Sequence, residues 1–200
     1  LFQAILAISA FWAMGAVLAS LFPPLVKNTL GANREVATLF LALFSVGIAI
    51  GSILINRLLA GEVSARFAPA AAIIMGLFII DLQATVNHWP PLDGTLDDVA
   101  TFIRLPHAKR VMIDLLGVAI AGGMFVVPLY AFLTTTVKKS ETARTVAANN
   151  IVNSGAMVLS TLMTFILVQA GVSIANSLLL VAALSVAAAW LAWQLHLACD

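Results

Sequence analysis

Charge is what this chain has least of. Charged residues fill 10% of its 200 positions and hydrophobic ones 62%, against roughly 25% and 45–50% in soluble domains. That balance excludes a water-soluble globular fold. The net charge is +1, so the basic surface that nucleic acid requires is missing and no nucleic-acid partner is expected. Cysteine occurs once, at Cys199, which rules out a disulfide framework and a cysteine-based metal centre. No phosphate loop, zinc-ligand spacing or nucleophile elbow is present. The sequence therefore predicts no metal, no cofactor and no catalytic residue, and this segment is expected not to be an enzyme.

What the chain does have is six apolar stretches, at roughly 2–22, 36–56, 67–85, 111–136, 145–169 and 174–195. About 20 such residues cross a bilayer as a helix, and helices satisfy the backbone where there is no water. The expected class is all-α, a polytopic membrane protein of six transmembrane helices with both ends on one side. The chain begins Leu1-Phe2-Gln3 inside an apolar span, with no basic segment before it. The first span is thus read as part of the fold and not as a secretory signal, and the chain as a piece of a longer polypeptide.

Punctuation follows from the residues between spans. Pro23 and Pro24 predict the end of the first helix, Gly61 a turn after the second, and Gly171 and Ser173 a tight link before the sixth. Ser140 or Thr142 is placed to cap the fifth helix. The one long polar segment is 82–110, in which Leu96, Val99, Ala100 and Ile103 share a helical face; this predicts a short helix lying in the membrane interface. Gly47 and Gly51 are spaced for close helix packing. Gly122, Gly123 and Pro128 mark the fourth span, which Pro128 should bend near Met124. The ten basic residues divide five and five between the two sides, so the positive-inside rule does not orient the chain.

Polar residues inside spans are the candidates for function, because hydrocarbon makes them costly. Asn149, Asn150 and Asn153 open the fifth span; Asn149 and Asn153 are four apart, share a face and should look into the bundle, as packing bonds or as the lining of a substrate path. Tyr130 and Gln3 are weaker candidates of the same kind. Asp114 lies near a span end, either at a pathway mouth or paired with Arg110 one turn before it. His88 and Asp93 form His-x4-Asp, a spacing used by glycerolipid acyltransferases for a base and its orienter. Two prolines between them and a connector setting mark it as a chance match.

Three stretches carry a resemblance. They are Lys109–Gly117 (KRVMIDLLG), Gly122–Tyr130 (GGMFVVPLY) and Ala143–Asn153 (ARTVAANNIVN). Together they resemble lysophospholipid transporters of the major facilitator superfamily, a module that some bacteria fuse to an acyltransferase and an acyl-carrier-protein synthetase as 2-acylglycerophosphoethanolamine acyltransferase. The resemblance implies that the chain is the C-terminal six-helix half of a twelve-helix transporter in the bacterial inner membrane. Its partners would be membrane lipids, a lysophospholipid substrate, the missing N-terminal half and a fused or associated acyltransferase. The first, second, fourth and fifth spans would line the cavity, and the third and sixth would face lipid. The facilitator loop signature is degenerate here: after Gly51, Asn56 stands at the acidic place, followed by Arg57 and, further on, Arg66 alone. The function expected is movement of lysophosphatidylethanolamine inward for re-acylation. The alternatives are a drug or small-metabolite exporter of the same superfamily, or a non-transporting module that anchors a fused enzyme.

Overall fold

The computed structural model describes residues 1–92 and 94–199. Asp93, and with it half of the His-x4-Asp spacing, lies outside the described residues. The chain folds into six long helices and one short one. These are α1 (Phe2–Asn28), α2 (Arg34–Leu59), α3 (Ala68–Asn87), α4 (Val99–Phe102), α5 (Pro106–Thr135), α6 (Thr142–Gln169) and α7 (Ile174–Cys199). All but α4 are long and apolar enough to cross a membrane, and no strand occurs among the described residues. This is an all-α, multi-pass membrane protein.

The ends of the helices follow local chemistry. Asn33 caps α2 by accepting from the Glu35 N–H at 3.2 Å, and the Ser173 hydroxyl accepts from the Asn176 N–H at 3.1 Å at the start of α7. Pro69 and Pro106 sit in the first turns of α3 and α5, where a missing N–H costs nothing. Ala60 and Gly61 turn the chain after α2 with φ of 50° and 87°. Three expectations are corrected. The first helix does not stop at Pro23 and Pro24 but runs through both to Asn28. Leu21, Phe22, Leu25 and Val26 are buried around them, and that packing holds the last turns helical despite the lost backbone bonds. Neither Ser140 nor Thr142 caps α6; Glu141 holds that position without a side-chain bond, and the Thr142 hydroxyl donates to the Lys138 carbonyl at 3.3 Å. The polar segment expected over 82–110 is helical at both ends, α3 reaching Asn87 and α5 starting at Pro106, which shortens the connector to 88–105.

A short helix does occur within that connector. It is the single turn α4, capped by Asp98, which accepts from the Thr101 N–H at 2.8 Å. Hydrogen bonds from Thr101 hold the Asp98 carboxyl below the usual carboxylate range. Their support is present at neutral pH and lost as pH falls through that range. The buried residue is Phe102, which packs between Phe40 and Trp89, while Leu96 and Ile103 remain exposed. One aromatic anchor therefore fixes the segment against the bundle. A two-bond backbone pairing adds to it: Asn33 N–H donates to Asp97 O at 2.9 Å and Asp97 N–H to Gly31 O at 2.8 Å.

The helices form two interlocked triplets. Helix α2 packs on α5 as α6 packs on α1; α3 packs on α5 as α7 packs on α1; α3 meets α7, and α1 meets α5. Exchanging α1–α2–α3 with α5–α6–α7 leaves this pattern unchanged. Side-chain bonds show the helices alternating in direction. Gln3 meets Gln194 at 2.9 Å at the end carrying both termini. At the other end Arg110 meets Asp81, and Gln83 meets Asn176 at 2.9 Å. Exchanged helices therefore run oppositely, which is an inverted repeat. Burial follows the same rule: α1 and α5 are central, and α2 and α6 are the least covered. Within this chain it is thus the second and fifth spans, more than the third and sixth, that lack neighbours, because each packs chiefly on one other helix.

Close approach of α2 and α5 depends on glycine. A Cβ at Gly51 would overlap the Ile120 carbonyl; one at Gly47 would lie 3.1 Å from the Leu116 carbonyl; one at Gly123 would lie 3.0 Å from the Ser52 nitrogen. Backbones meet there because nothing larger intervenes. Gly122 faces Phe11 of α1 instead, 2.9 Å from where its Cβ would stand. Helix α5 continues unbroken through Pro128.

Two outcomes are expected. Gly51→Ala should lower stability in detergent by about 1–3 kcal/mol, whereas Gly155→Ala, where nothing lies within 4 Å, should be neutral or slightly stabilising; equal effects would contradict the tight α2–α5 seam. With Cys199 replaced by serine, Thr95→Cys and Ser140→Cys should react with an impermeant thiol reagent from opposite sides of the membrane. Labelling from one side only would break the alternation of the helices.

Candidate functional site

Helix α6 turns three polar residues inward. Asn149, Asn153 and Thr164 are its buried residues, while Ile151, Val158, Leu159, Leu162 and Phe165 are exposed. In lipid an outward amide would be unsolvated, whereas an outward leucine costs nothing, so the polar stripe faces the bundle. Helix α1 receives it. The Ser9 hydroxyl donates to Asn153 Oδ1 at 2.8 Å, and the Ser160 hydroxyl donates to the Ala13 carbonyl at 3.3 Å.

The tyrosine joins this cluster from α5. Its hydroxyl oxygen accepts from Trp12 Nε1 at 2.8 Å, from Asn153 Nδ2 at 3.3 Å and from Asn149 Nδ2 at 3.5 Å. A phenol oxygen has two lone pairs, so three N–H donors around it are one more than it can serve well. Asn149 is wholly buried, and its Oδ1 has no partner. Turning that amide over would set Oδ1 against the Tyr130 O–H and strand Nδ2 instead. Either way one polar group of Asn149 is unpaired in the interior. Five uncharged side chains from three helices thus converge, with hydrogen-bonding capacity left over. A groove of ≈ 660 Å³ between α1, α6 and α7 is lined by Ser9 and Ser160 and otherwise by apolar residues such as Ala13, Leu159, Met163 and Leu184.

The other candidates lie elsewhere. Gln3 spends its amide on Gln194, tying α1 to α7. Asn150 is exposed, turned away from the buried stripe of α6. Asn56 and Arg57 are exposed at the end of α2. Arg66 pairs with Glu62 at 3.4 Å and lies 5.0 Å over the Phe67 ring, so it makes no contact with the Asn56 position. His88 donates from Nδ1 to the Ala84 carbonyl at 2.8 Å and so closes the end of α3.

Asp114 requires a correction. Arg110 does not pair with it one turn away; it is held bidentately by Asp81 on α3. Asp114 lies within hydrogen-bonding reach of Asp81, is 2% exposed, and leaves Oδ2 buried with no partner. Asp81 alone takes both bonds of the guanidinium. The reason is geometric: across the antiparallel α3–α5 contact Asp81 stands opposite Arg110 and meets its guanidinium fork with both oxygens.

Ser9 and Trp12 escaped sequence reasoning. Trp12 carried a signal, because a tryptophan well inside a span is away from the interface such rings favour and must find an N–H partner in the bundle. Ser9, one small hydroxyl among alanines, carried none.

No family model, no curated protein and no solved structure matches the chain.

Because its free oxygen is buried without compensation, Asp114→Leu should raise stability in detergent by about 1 kcal/mol or more. A measured loss instead would mean that the carboxyl has a structural partner.

Proposed function

We propose that this chain is one six-helix half of a facilitator-type transporter that carries a lysophospholipid, lysophosphatidylethanolamine first among them, across the bacterial inner membrane for re-acylation. The observation that carries the reading is the inverted repeat: α1–α2–α3 and α5–α6–α7 exchange with every major contact preserved. Nested inverted triplets are the internal architecture of each half of such transporters, with the substrate handled near the midplane. The little-covered α2 and α6 then await the other half.

The polar cluster supports the lipid substrate. It offers N–H groups without any charge, beside a groove that is apolar. An amphiphile meets both needs, with ester or phosphate oxygens on the Trp12, Asn149 and Asn153 donors and the acyl chain along Ala13, Leu159 and Met163. Since those same amides bond α6 to its neighbours, a substrate that replaces the Ser9–Asn153 and Asn–Tyr130 bonds loosens α6 from α1. Binding would thereby be coupled to helix movement at little cost, because each intramembrane hydrogen bond is worth about 0.6 kcal/mol on average.

A second reading, a proton-coupled exporter of a small metabolite, is favoured by the unpaired carboxyl of Asp114. In proteoliposomes of the full-length protein, lysophosphatidylethanolamine should move without an imposed pH gradient. Asn153→Leu should slow it by about fivefold or more at a nearly unchanged melting temperature. A lower melting temperature with an unchanged rate per folded molecule would reduce the cluster to packing, and strict dependence on a pH gradient would favour the exporter.

A further inference from the structure

At the end of the bundle opposite the termini, α1 and α2 diverge around a groove of ≈ 620 Å³, within the size range of ligand sites. Val26, Ala37 and Leu41 are among its apolar walls, and Leu96 of the connector reaches in from the side. Lys27 and Arg34 also line it. Both are exposed, and neither forms an ion pair with any described residue. No carboxylate lines this groove; Glu35 and Asp97 stand nearby, but neither is among its walls. The connector wall is held in place by the backbone bonds between Gly31, Asn33 and Asp97 and by Phe102.

We infer that this groove binds a phosphate-bearing lipid, with Lys27 and Arg34 on the phosphate and the acyl chain running down α2 past Ala37 to Leu41. Three features point to that occupant. The two cations come from the last turn of α1 and the first turn of α2, the depth at which a lipid phosphate lies when a helix spans the bilayer. Neither is taken up in an ion pair with a described residue, so an anion completes them. Below the cations the groove wall carries Ala37 and Leu41 with one hydroxyl, Thr38, between them, over about 10 Å of helix, so the anion that fits best brings a hydrocarbon tail. A free phosphate would leave that wall empty, and a neutral lipid would leave the cations unused. The inference needs only the membrane placement of α1 and α2 and does not rest on the transport reading.

The test is binding to the purified full-length protein, read by native mass spectrometry with two probes of the same acyl chain. One is lysophosphatidylethanolamine, and the other is a monoacylglycerol, which lacks the phosphate. Lys27→Gln with Arg34→Gln should weaken the phospholipid about tenfold and leave the monoacylglycerol unchanged. Removing two cations at the other end, Lys138→Gln with Lys139→Gln, should change neither. Leu41→Gln should weaken both probes. Equal binding of the phospholipid before and after the double substitution would overturn the inference. So would a parallel loss of both probes in that variant, or full displacement of the phospholipid by inorganic phosphate, which would make the site one for the free anion. Transport is not read in this assay, so a failure of the transport reading would leave its result intact.

Discussion

Everything in this structure answers to one constraint: within a bilayer core, water is not there to satisfy a backbone N–H or C=O. Each span is therefore a helix before any side chain is considered, and the hydrophobic effect that assembles soluble cores has little to add between helices already in lipid. What remains to join them is close van der Waals contact and hydrogen bonding. The bundle divides these tasks between its two symmetry-related seams. The α2–α5 seam is made by absence, with Gly47, Gly51 and Gly123 bringing backbones together. The α1–α6 seam is made by polar contact, through Ser9, Asn153 and Ser160.

That difference bears on function. Glycine contact has one good arrangement, because a shift of the helices opens voids or collides with carbonyls. Hydrogen bonds among amides and hydroxyls can exchange partners at small cost. Of the two peripheral helices, α2 is the one locked to the centre and α6 the one free to change contacts. On the proposed reading, the surplus donors at Tyr130 and the unpaired group of Asn149 are where a substrate enters that exchange. Asp114 stands apart from this, on the α3–α5 contact near the other end. Its uncompensated oxygen is a cost to stability, of the kind that functional sites retain.

The number of spans, their approximate limits and the all-α class were legible in the residues, since each rests on hydropathy along a single segment and on backbone bonding that closes within it. The shared face of Asn149 and Asn153 was legible too, because spacing of four residues on one helix needs no knowledge of its neighbours. Local rules failed where a neighbour overrode them. Pro23 and Pro24 should end a helix, but the buried residues around them carry α1 on to Asn28. The periodicity of 96–103 pointed to a short helix, and one turn, α4, is there; its anchoring by Phe102 and by the pairing of Asp97 with Gly31 and Asn33 depends on other segments. Arg110 has an acidic residue one turn away on its own helix, yet it bonds to Asp81 across the bundle. The tertiary structure alone decided which triplet member faces which, that Tyr130 meets both asparagines and Trp12, and that Lys27 and Arg34 flank one groove. These are relations between segments distant in sequence, set by which helix faces come into register, and no single segment contains that information.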